Sequence, residues 1–313
     1  MTENKKVLLI AGGGTIGTYT AEELLRLGCN VDVICLEEKN SDNGNLRFFR
    51  EYATLEFLEK HFEQNKYDGI VNFLHYKNVE DYKPFHGLLS QNTGHLIFLS
   101  SYRVYADLQH PITENAPLLA DVIKNDETFL KTEDYALPKI ACERFIRAES
   151  KTGNWTIVRP VISTSDRRFD LVTLSGHEIP DAAAEGKTLL LPEAARNLTA
   201  SVDWAGNVGK LIANLLFKKD ALCHTYTVSS AQNLTWGEVA DIYERLLGIK
   251  FIWTTVEEYV KTGHGGYGLT YDRLYDRKID NSEILKVTGL KSSDFTSLEN
   301  GIKIELEKIR DQK

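Results

Sequence analysis

Ser101, Tyr135 and Lys139 are the residues whose types and spacing could move a proton. Ser100-Ser101-Tyr102-Arg103-Val104-Tyr105 closes an apolar run, and Tyr135-Ala136-Leu137-Pro138-Lys139 follows downstream. A phenol ordinarily ionises near about pH 10, so acid–base work near neutrality needs a cation beside it. Lys139 comes four residues after Tyr135, one helical turn on and on the same face. Its ammonium can favour the phenolate and can also reach a ribose. Ser101 can then hydrogen-bond both the phenol and a substrate oxygen. Tyr and Lys one turn apart also occur on solvated helix faces. The chemical reading gains weight from a glycine turn that precedes both strings.

That turn is Ala11-Gly12-Gly13-Gly14-Thr15-Ile16-Gly17, between the apolar run Val7 to Ala11 and a helix expected over 18–27. Gly12-x-Gly14-x-x-Gly17 in a strand–turn–helix context is the dinucleotide fingerprint. Gly14 lets backbone approach a pyrophosphate, Gly17 lets helix and strand pack closely, and the helix N-terminus offers free N–H groups. The expected cofactor is NAD. Its expected contacts are Gly12, Gly14, Thr15, Ile16, Gly17 and Leu74, with Tyr135 and Lys139 at the reactive end. Glu37 ends the second strand and could accept from both ribose hydroxyls while repelling a 2′-phosphate. Beside Glu38 and Lys39, it also reads as a solvated loop charge.

These residues need elements to position them. Apolar runs over 7–11, 31–36, 69–74, 95–100 and 155–159 alternate with helical patterns over 18–27, 55–61 and 135–149. Strands alternating with helices imply βαβ units with right-handed crossovers. The fold class is therefore α/β, a Rossmann-type doubly wound parallel sheet with a smaller C-terminal α/β substrate lobe. Residues 1–160 read as the NAD-binding domain and 161–313 mainly as the substrate lobe, with later segments returning to the sheet. In the second part, 163–200 reads as polar and irregular. Helices are expected over 208–217, 236–247, 281–287 and 298–309, and strands over 225–229 and 251–255.

Basic residues are candidates for holding substrate. Arg196 and Arg273 are the substrate-binding candidates besides Ser101. Arg196 could equally be a surface arginine. Tyr271 to Lys278, which contains Arg273, could close over a nucleotide or sugar or form a charge-laced face. Arg167 and Arg168 follow the sixth strand region and border the expected cleft, and His75 reads as a packed strand-end histidine.

Bulk properties narrow the function class. The 313 residues are 42% hydrophobic, enough for a sizeable core, and carry a formal charge of −8. That balance argues against nucleic-acid binding, which needs a basic surface. Cys29, Cys35, Cys142 and Cys223 form no CxxC pair, and three of them sit in apolar or helical contexts, so buried thiols rather than a metal site are expected. Neither a signal peptide nor an apolar run of spanning length is visible, so the expectation is a cytoplasmic protein with no membrane partner.

The motifs together resemble the extended short-chain dehydrogenase/reductase family, in its NAD-dependent epimerase/dehydratase branch. That family reads T-G-G-T-G-F-I-G, S-S-x-x-V-Y-G, Y-x-x-x-K-x-x-x-E, R-P and V-x-D-x-A. This chain offers Ile10 to Gly17, Ser100 to Ala106, then Tyr135, Lys139 and Glu143, then Arg159-Pro160 and Val202-Asp203-Trp204-Ala205. Asp280-Asn281-Ser282, Gly289-Leu290 and Leu298 to Gly301 continue the likeness to the C-terminus.

The resemblance implies that the catalytic Ser/Thr is Ser101, that Arg196 grips a pyrophosphate, and that a homodimer forms through helices flanking the sheet. It implies an epimerase acting on a nucleotide-linked sugar. The alternatives are an NAD(P)-dependent sugar reductase or dehydrogenase using the same residues, or a non-catalytic Rossmann regulatory or RNA-binding protein. Three departures stand out. Ala11 replaces the family's first glycine. Tyr102-Arg103 replaces the acidic pair of the 4,6-dehydratases, which argues against dehydration. Ile162 replaces the asparagine of UDP-galactose 4-epimerases.

Overall fold

A computed structural model of the chain describes residues 4–311. β1 (Lys6–Ile10) runs through the centre of a seven-stranded sheet. The other members are β2 (Asn30–Cys35), β3 (Leu46–Arg50), β4 (Tyr67–Asn72), β5 (Thr93–Leu99), β6 (Trp155–Pro160) and β10 (His224–Val228). The order is β10-β6-β5-β4-β1-β2-β3, and every pairing is parallel. Strand order reverses between β1 and β4, so the crevice at their carboxyl ends is where such a sheet takes a ligand.

The continuous apolar sequence of β1 follows from burial on both faces. Val7 and Leu9 pack with Leu24 of α1 (Thr15–Arg26) and with Ile212 of α6 (Ala205–Leu215). Leu8 and Ile10 face the other way, onto Leu58 and Phe62 of α2 (Leu55–Gln64) and Leu89 of α3 (Val79–Gln91). Each buried side chain of this size contributes roughly 1.5–3 kcal/mol. α4 (Ala136–Glu149) lies beside α3 on that second face.

β3 and α3 were not evident as periodic patterns, for physical reasons. β3 is an edge strand on which no residue is fully buried, and its Arg47 forms a two-pronged pair with buried Asp32 on β2. α3 carries Pro84 inside it and a mixed face. α1 starts at Thr15 rather than at the expected residue 18, because Gly14 itself is the N-cap.

The second lobe is built from short pieces. β7 (Ile162–Thr164) pairs with β9 (Val202–Trp204), and β8 (Thr188–Pro192) pairs with β11 (Lys250–Thr254). Helices α5 (Glu178–Ala184), α7 (Trp236–Leu247), α8 (Ser282–Thr288) and α9 (Leu298–Asp311) complete it. Residues 163–200, expected to be irregular, thus contain β8 and α5. α6 and β10 return to the main sheet, and α6 packs on α1.

Asp203 explains one motif structurally. It is wholly buried and accepts from Trp204 N, Asn207 Nδ2 and Ser230 N at 2.8, 2.8 and 2.6 Å. Glu305 of α9 is also buried. It accepts from Tyr19 of α1, from Trp204 Nε1 at 2.6 Å and from Asp166 N at 2.8 Å, tying the lobes together. Among the described residues no helix is long and apolar enough to cross a membrane.

Candidate active site

The glycine turn joins β1 to α1, and its glycines face different surroundings. A Cβ on Gly17 would lie 2.3 Å from the carbonyl oxygen and 2.6 Å from the Cα of Gly12. Both obstacles are backbone, so neither can swing aside. Gly17→Ala is expected to cost about 1–3 kcal/mol by this clash and to lower the thermal unfolding midpoint by several degrees. An unchanged midpoint would mean that the turn is not this tight.

At Gly14, by contrast, an added Cβ would meet nothing within 4 Å. Gly14 is the N-cap of α1 and brings no side-chain cap, so its first-turn N–H groups lack a side-chain acceptor. Ala11 sits at φ +54°, in the left-handed region that favours glycine. Lys39 Nζ donates to Gly13 O at 2.9 Å, adding a cation beside the turn.

A crevice of about 320 Å³ continues from the turn, lined by Ala11, Gly14, Cys35, Leu36, Glu37, Tyr52 and Leu74 among others. It is mostly apolar with two carboxylates, Glu37 and Glu51, in its lining, a shape that could take an adenosine. Burial works against ionisation of Glu37, but its own backbone amide and the Arg167 guanidinium at 3.2 Å hold its carboxyl below the usual range.

A second cleft, of about 290 Å³, opens on the other side of Thr15 and Ile16. Its walls include Ser101, Tyr102, Arg103, Tyr135, Pro160 to Ser163, Arg168 and Arg273. Ser101 follows β5 and caps a short turn over Tyr102–Val104, with its Oγ accepting from Arg103 N at 3.3 Å. Tyr135 is the N-cap of α4, so the helix proper begins one residue later than expected. Pro138 falls in the first turn, where its missing N–H costs nothing.

Lys139 is buried, and its Nζ donates to Leu99 O at 2.8 Å and lies 5.3 Å from the Tyr135 ring centre. Burial pushes the Lys139 pKa down, opposed by Tyr135, Cys142 and Glu143. The Arg103 guanidinium lies 5.2 Å from the same ring centre, so two cations flank the phenol. Among the described residues the Tyr135 hydroxyl has no hydrogen-bond partner, while its ring stacks on His75 at 5.4 Å. His75 is exposed rather than packed into the strand end, and partial burial and then Lys139 hold its pKa below the usual value.

Arg273 and Arg196 are placed differently. Arg273 lines the cleft. It donates to Tyr102 Oη at 2.6 Å and Val172 O at 2.7 Å, and it pairs with buried Asp272. Arg196 is not among the residues lining this cleft. It lies over Trp253 of β11 at 5.3 Å and is half-exposed. The segment after residue 270 is not a solvated face, since Arg277 is buried and donates to Tyr105 O at 2.8 Å.

Two supporting carboxylates hold the machinery in register. Glu133 accepts from Tyr135 N at 3.0 Å and Ala136 N at 2.7 Å, and its other oxygen takes Arg103 Nη2 at 2.7 Å. It caps α4 and orients Arg103 at once. Sequence reasoning passed over it, although an acidic residue just ahead of a helix is a known start signal. Glu143 is fully buried and takes both Arg159, in a two-pronged pair at 2.9 and 2.5 Å, and the hydroxyl of Ser100 at 2.5 Å. Ser100 is therefore committed to the scaffold, and Ser101 is the serine free to face the cleft.

No protein-family model matches the chain, and no curated protein sequence matches it. Solved structures do share its fold. Pal from Bacillus thuringiensis superposes with a TM-score of 0.73 at 15% identity, covering 98% of this chain and 100% of that one. UDP-glucose 4-epimerase from Thermus thermophilus, in complex with NAD, gives 0.70 at 17% identity, covering 97% and 99%. WbmG from Bordetella bronchiseptica, in complex with NAD and UDP, gives 0.71 at 16% identity, covering 97% and 94%. The seven-stranded parallel sheet with its second lobe is thus the architecture of these structures.

Proposed function

We propose that the chain is an NAD-dependent epimerase of a nucleotide-linked sugar, a member of the extended short-chain dehydrogenase/reductase family. The observation that carries this reading is the cleft at the carboxyl end of β5. Ser101 and Tyr135 line it, with the buried Lys139 beside Tyr135, and the glycine turn that starts α1 without a side-chain cap adjoins it. The fold shared with a UDP-glucose 4-epimerase and with WbmG, both in complex with NAD, supports it.

The residues present fit a dinucleotide. Gly12, Gly14, Thr15, Ile16 and Gly17 would hold the pyrophosphate, with Glu37 and Leu74 beside the adenosine and Lys139 at the second ribose. Bound NAD supplies a reversible hydride acceptor at the sugar carbon. This chain's own residues do the remaining work. Tyr135 Oη takes the hydroxyl proton of the sugar and later returns it. Lys139 and Arg103 stabilise the negative charge on that oxygen. Ser101 Oγ holds the reacting substrate oxygen in line with the phenol. Val161 and Ile162 give the cleft an apolar wall that keeps water from the reacting carbon.

The test is the ultraviolet spectrum and identity of whatever denaturation releases from the purified protein. NAD released only on denaturation supports an epimerase. A protein that arrives empty and exchanges NADH freely supports a net reductase or dehydrogenase instead. Light scattering tests the homodimer.

Glu37 bears on cofactor choice. Glu37→Ala removes the ribose acceptor and leaves Arg167 and Lys39 beside the same spot. The ratio of NADP to NAD dissociation constants is expected to shift toward NADP by roughly 10-fold or more, the worth of exchanging a repelling charge for pairing ones. Fluorescence titration with each cofactor measures it, and an unchanged ratio would remove Glu37 from the ribose.

A further inference from the structure

The cleft beside Tyr135 has an unusual electrostatic lining. Its charged side chains are Arg103, Arg168 and Arg273, and none of its lining residues is acidic. Behind them lies one connected ion-pair cluster. Arg103 reaches Glu133 and Asp272, and Arg273 reaches Asp272 and, at 4.0 Å, Asp170. Arg168 forks onto Asp170 at 2.5 and 2.9 Å, and Arg277 lies 3.3 Å from Asp272. Four guanidinium groups therefore share three carboxylates, and Glu133, Asp170 and Asp272 are each buried.

Arg103 and Arg273 are 16% and 12% exposed and Arg168 is 45% exposed, so an anion in the cleft would complete the set at guanidinium groups that are partly solvated. The geometry says where that anion belongs. Arg103 is held between the rings of Tyr135 and Tyr267, at 5.2 and 5.5 Å, so its charge sits at the proton-transfer end of the cleft. Its buried Nε makes no hydrogen bond and lies 3.5 Å from Asp272 Oδ2. Arg168 and Arg273 lie on the opposite lobe and pair with the same buried Asp170. Planar guanidinium groups converging from two sides suit a planar, two-oxygen anion.

We infer that the substrate carries a carboxylate on the sugar itself, close to the carbon whose hydroxyl Tyr135 serves, and that Arg103, Arg168 and Arg273 recognise it. The inference rests on the epimerase reading above and deepens it from sugars in general to acidic sugars. A neutral sugar would make no charge-assisted contact with these arginines, so the site favours an acidic one.

A pyrophosphate shares the oxyanion chemistry, and the experiment separates the two. The native protein is first titrated with NAD. The NAD-loaded protein is then titrated calorimetrically with UDP, UDP-glucose and UDP-glucuronate. The two sugar nucleotides differ in a hydroxymethyl against a carboxylate. UDP-glucuronate is expected to bind roughly 10-fold or more tightly than UDP-glucose. Arg168→Gln is expected to bring that ratio to about 1 and leave the affinity for UDP unchanged. Because loss of Arg168 also strips Asp170 of its closest partner, Arg168→Lys serves as the second variant, keeping the charge and losing the fork. It is expected to give an intermediate ratio.

The first comparison needs no variant. A protein that neither carries NAD as purified nor takes it up on titration refutes the cofactor reading. An NAD-loaded protein that binds the two sugars equally refutes the acidic-sugar inference alone, and one that binds neither overturns it together with the nucleotide-sugar reading. If Arg168→Gln weakens UDP as much as UDP-glucuronate, the arginines serve the pyrophosphate and the inference is overturned.

Discussion

Replacing Tyr135 with Phe is expected to lower turnover by roughly 10²–10⁴-fold, the usual worth of a positioned acid–base group, while NAD uptake is retained. The substitution removes one oxygen and keeps the ring. The stack on His75 and the contacts with Lys139 and Arg103 all involve the ring rather than the hydroxyl. The hydroxyl has no partner among the described residues, so its loss leaves no stranded donor or acceptor. The fold should therefore be unaffected, and a thermal midpoint measured beside the rate checks that. Full activity in Tyr135→Phe would remove the catalytic assignment altogether.

Lys139→Met makes a useful contrast. Lys139 is buried and tied to Leu99 O, so the change removes a charge near the phenol and a donor from the cofactor side together. Turnover and NAD affinity should fall together, whereas Tyr135→Phe affects turnover alone. That difference in pattern separates the proton carrier from the residue that sets its surroundings.

What could be read ahead of the structure follows the physics of each signal. β1 was legible because burial on both faces forces a continuous apolar run. Tyr135 and Lys139 were legible because one helical turn fixes their spacing. Glu143 was legible only as part of a resemblance. Its chemistry emerges from three partners at the end of β5, on β6 and on α4, two of them far from it in sequence. Ala11 shows the same limit: its left-handed φ explains why glycine belongs there, and no pattern of residue types displays a dihedral angle. Arg103 was read as the absence of an acid, while its place between two aromatic rings depends on Tyr267 from the other lobe. Arg196 was a candidate through offset from Asp203, yet the chain turns it toward Trp253. Offsets carry over along a helix or strand, where geometry is regular. They fail across irregular loops, where backbone direction is set by tertiary contacts.

Glu143→Ala is expected to be the most destabilising single change near the site. Glu143 and Arg159 are each about 1% exposed and form a two-pronged pair. Removing the carboxylate strands a buried guanidinium, which typically costs about 3–5 kcal/mol. Arg159 keeps the Glu114 carbonyl at 3.0 Å and the Tyr105 ring at 4.7 Å, so the loss should fall short of complete unfolding. Urea unfolding at pH 7 measures it, with pH as an independent check. Burial works against the Glu143 charge, but Arg159 first, then Ser100 and Arg147, hold its carboxyl below the usual range. A depressed folded-state pKa contributes stability above the unfolded value of about 4.3 and loses it as pH falls through the folded value. The gap between native and variant should therefore be widest near neutrality and shrink once pH drops below about 4. A gap that stays constant down to acid would mean lost packing rather than lost charge. Replacing both partners, Glu143→Leu with Arg159→Met, should cost less than Glu143→Ala alone, since no charge is stranded. The function follows the same bond. Glu143 lies one turn beyond Lys139 on α4 and grips Ser100, the residue before Ser101. Loosening it lets the Tyr135–Lys139 helix slide against the strand end that carries Ser101. Turnover should fall even in the fraction that stays folded, and the Glu143→Gln variant, which keeps the shape and one acceptor, should recover part of it.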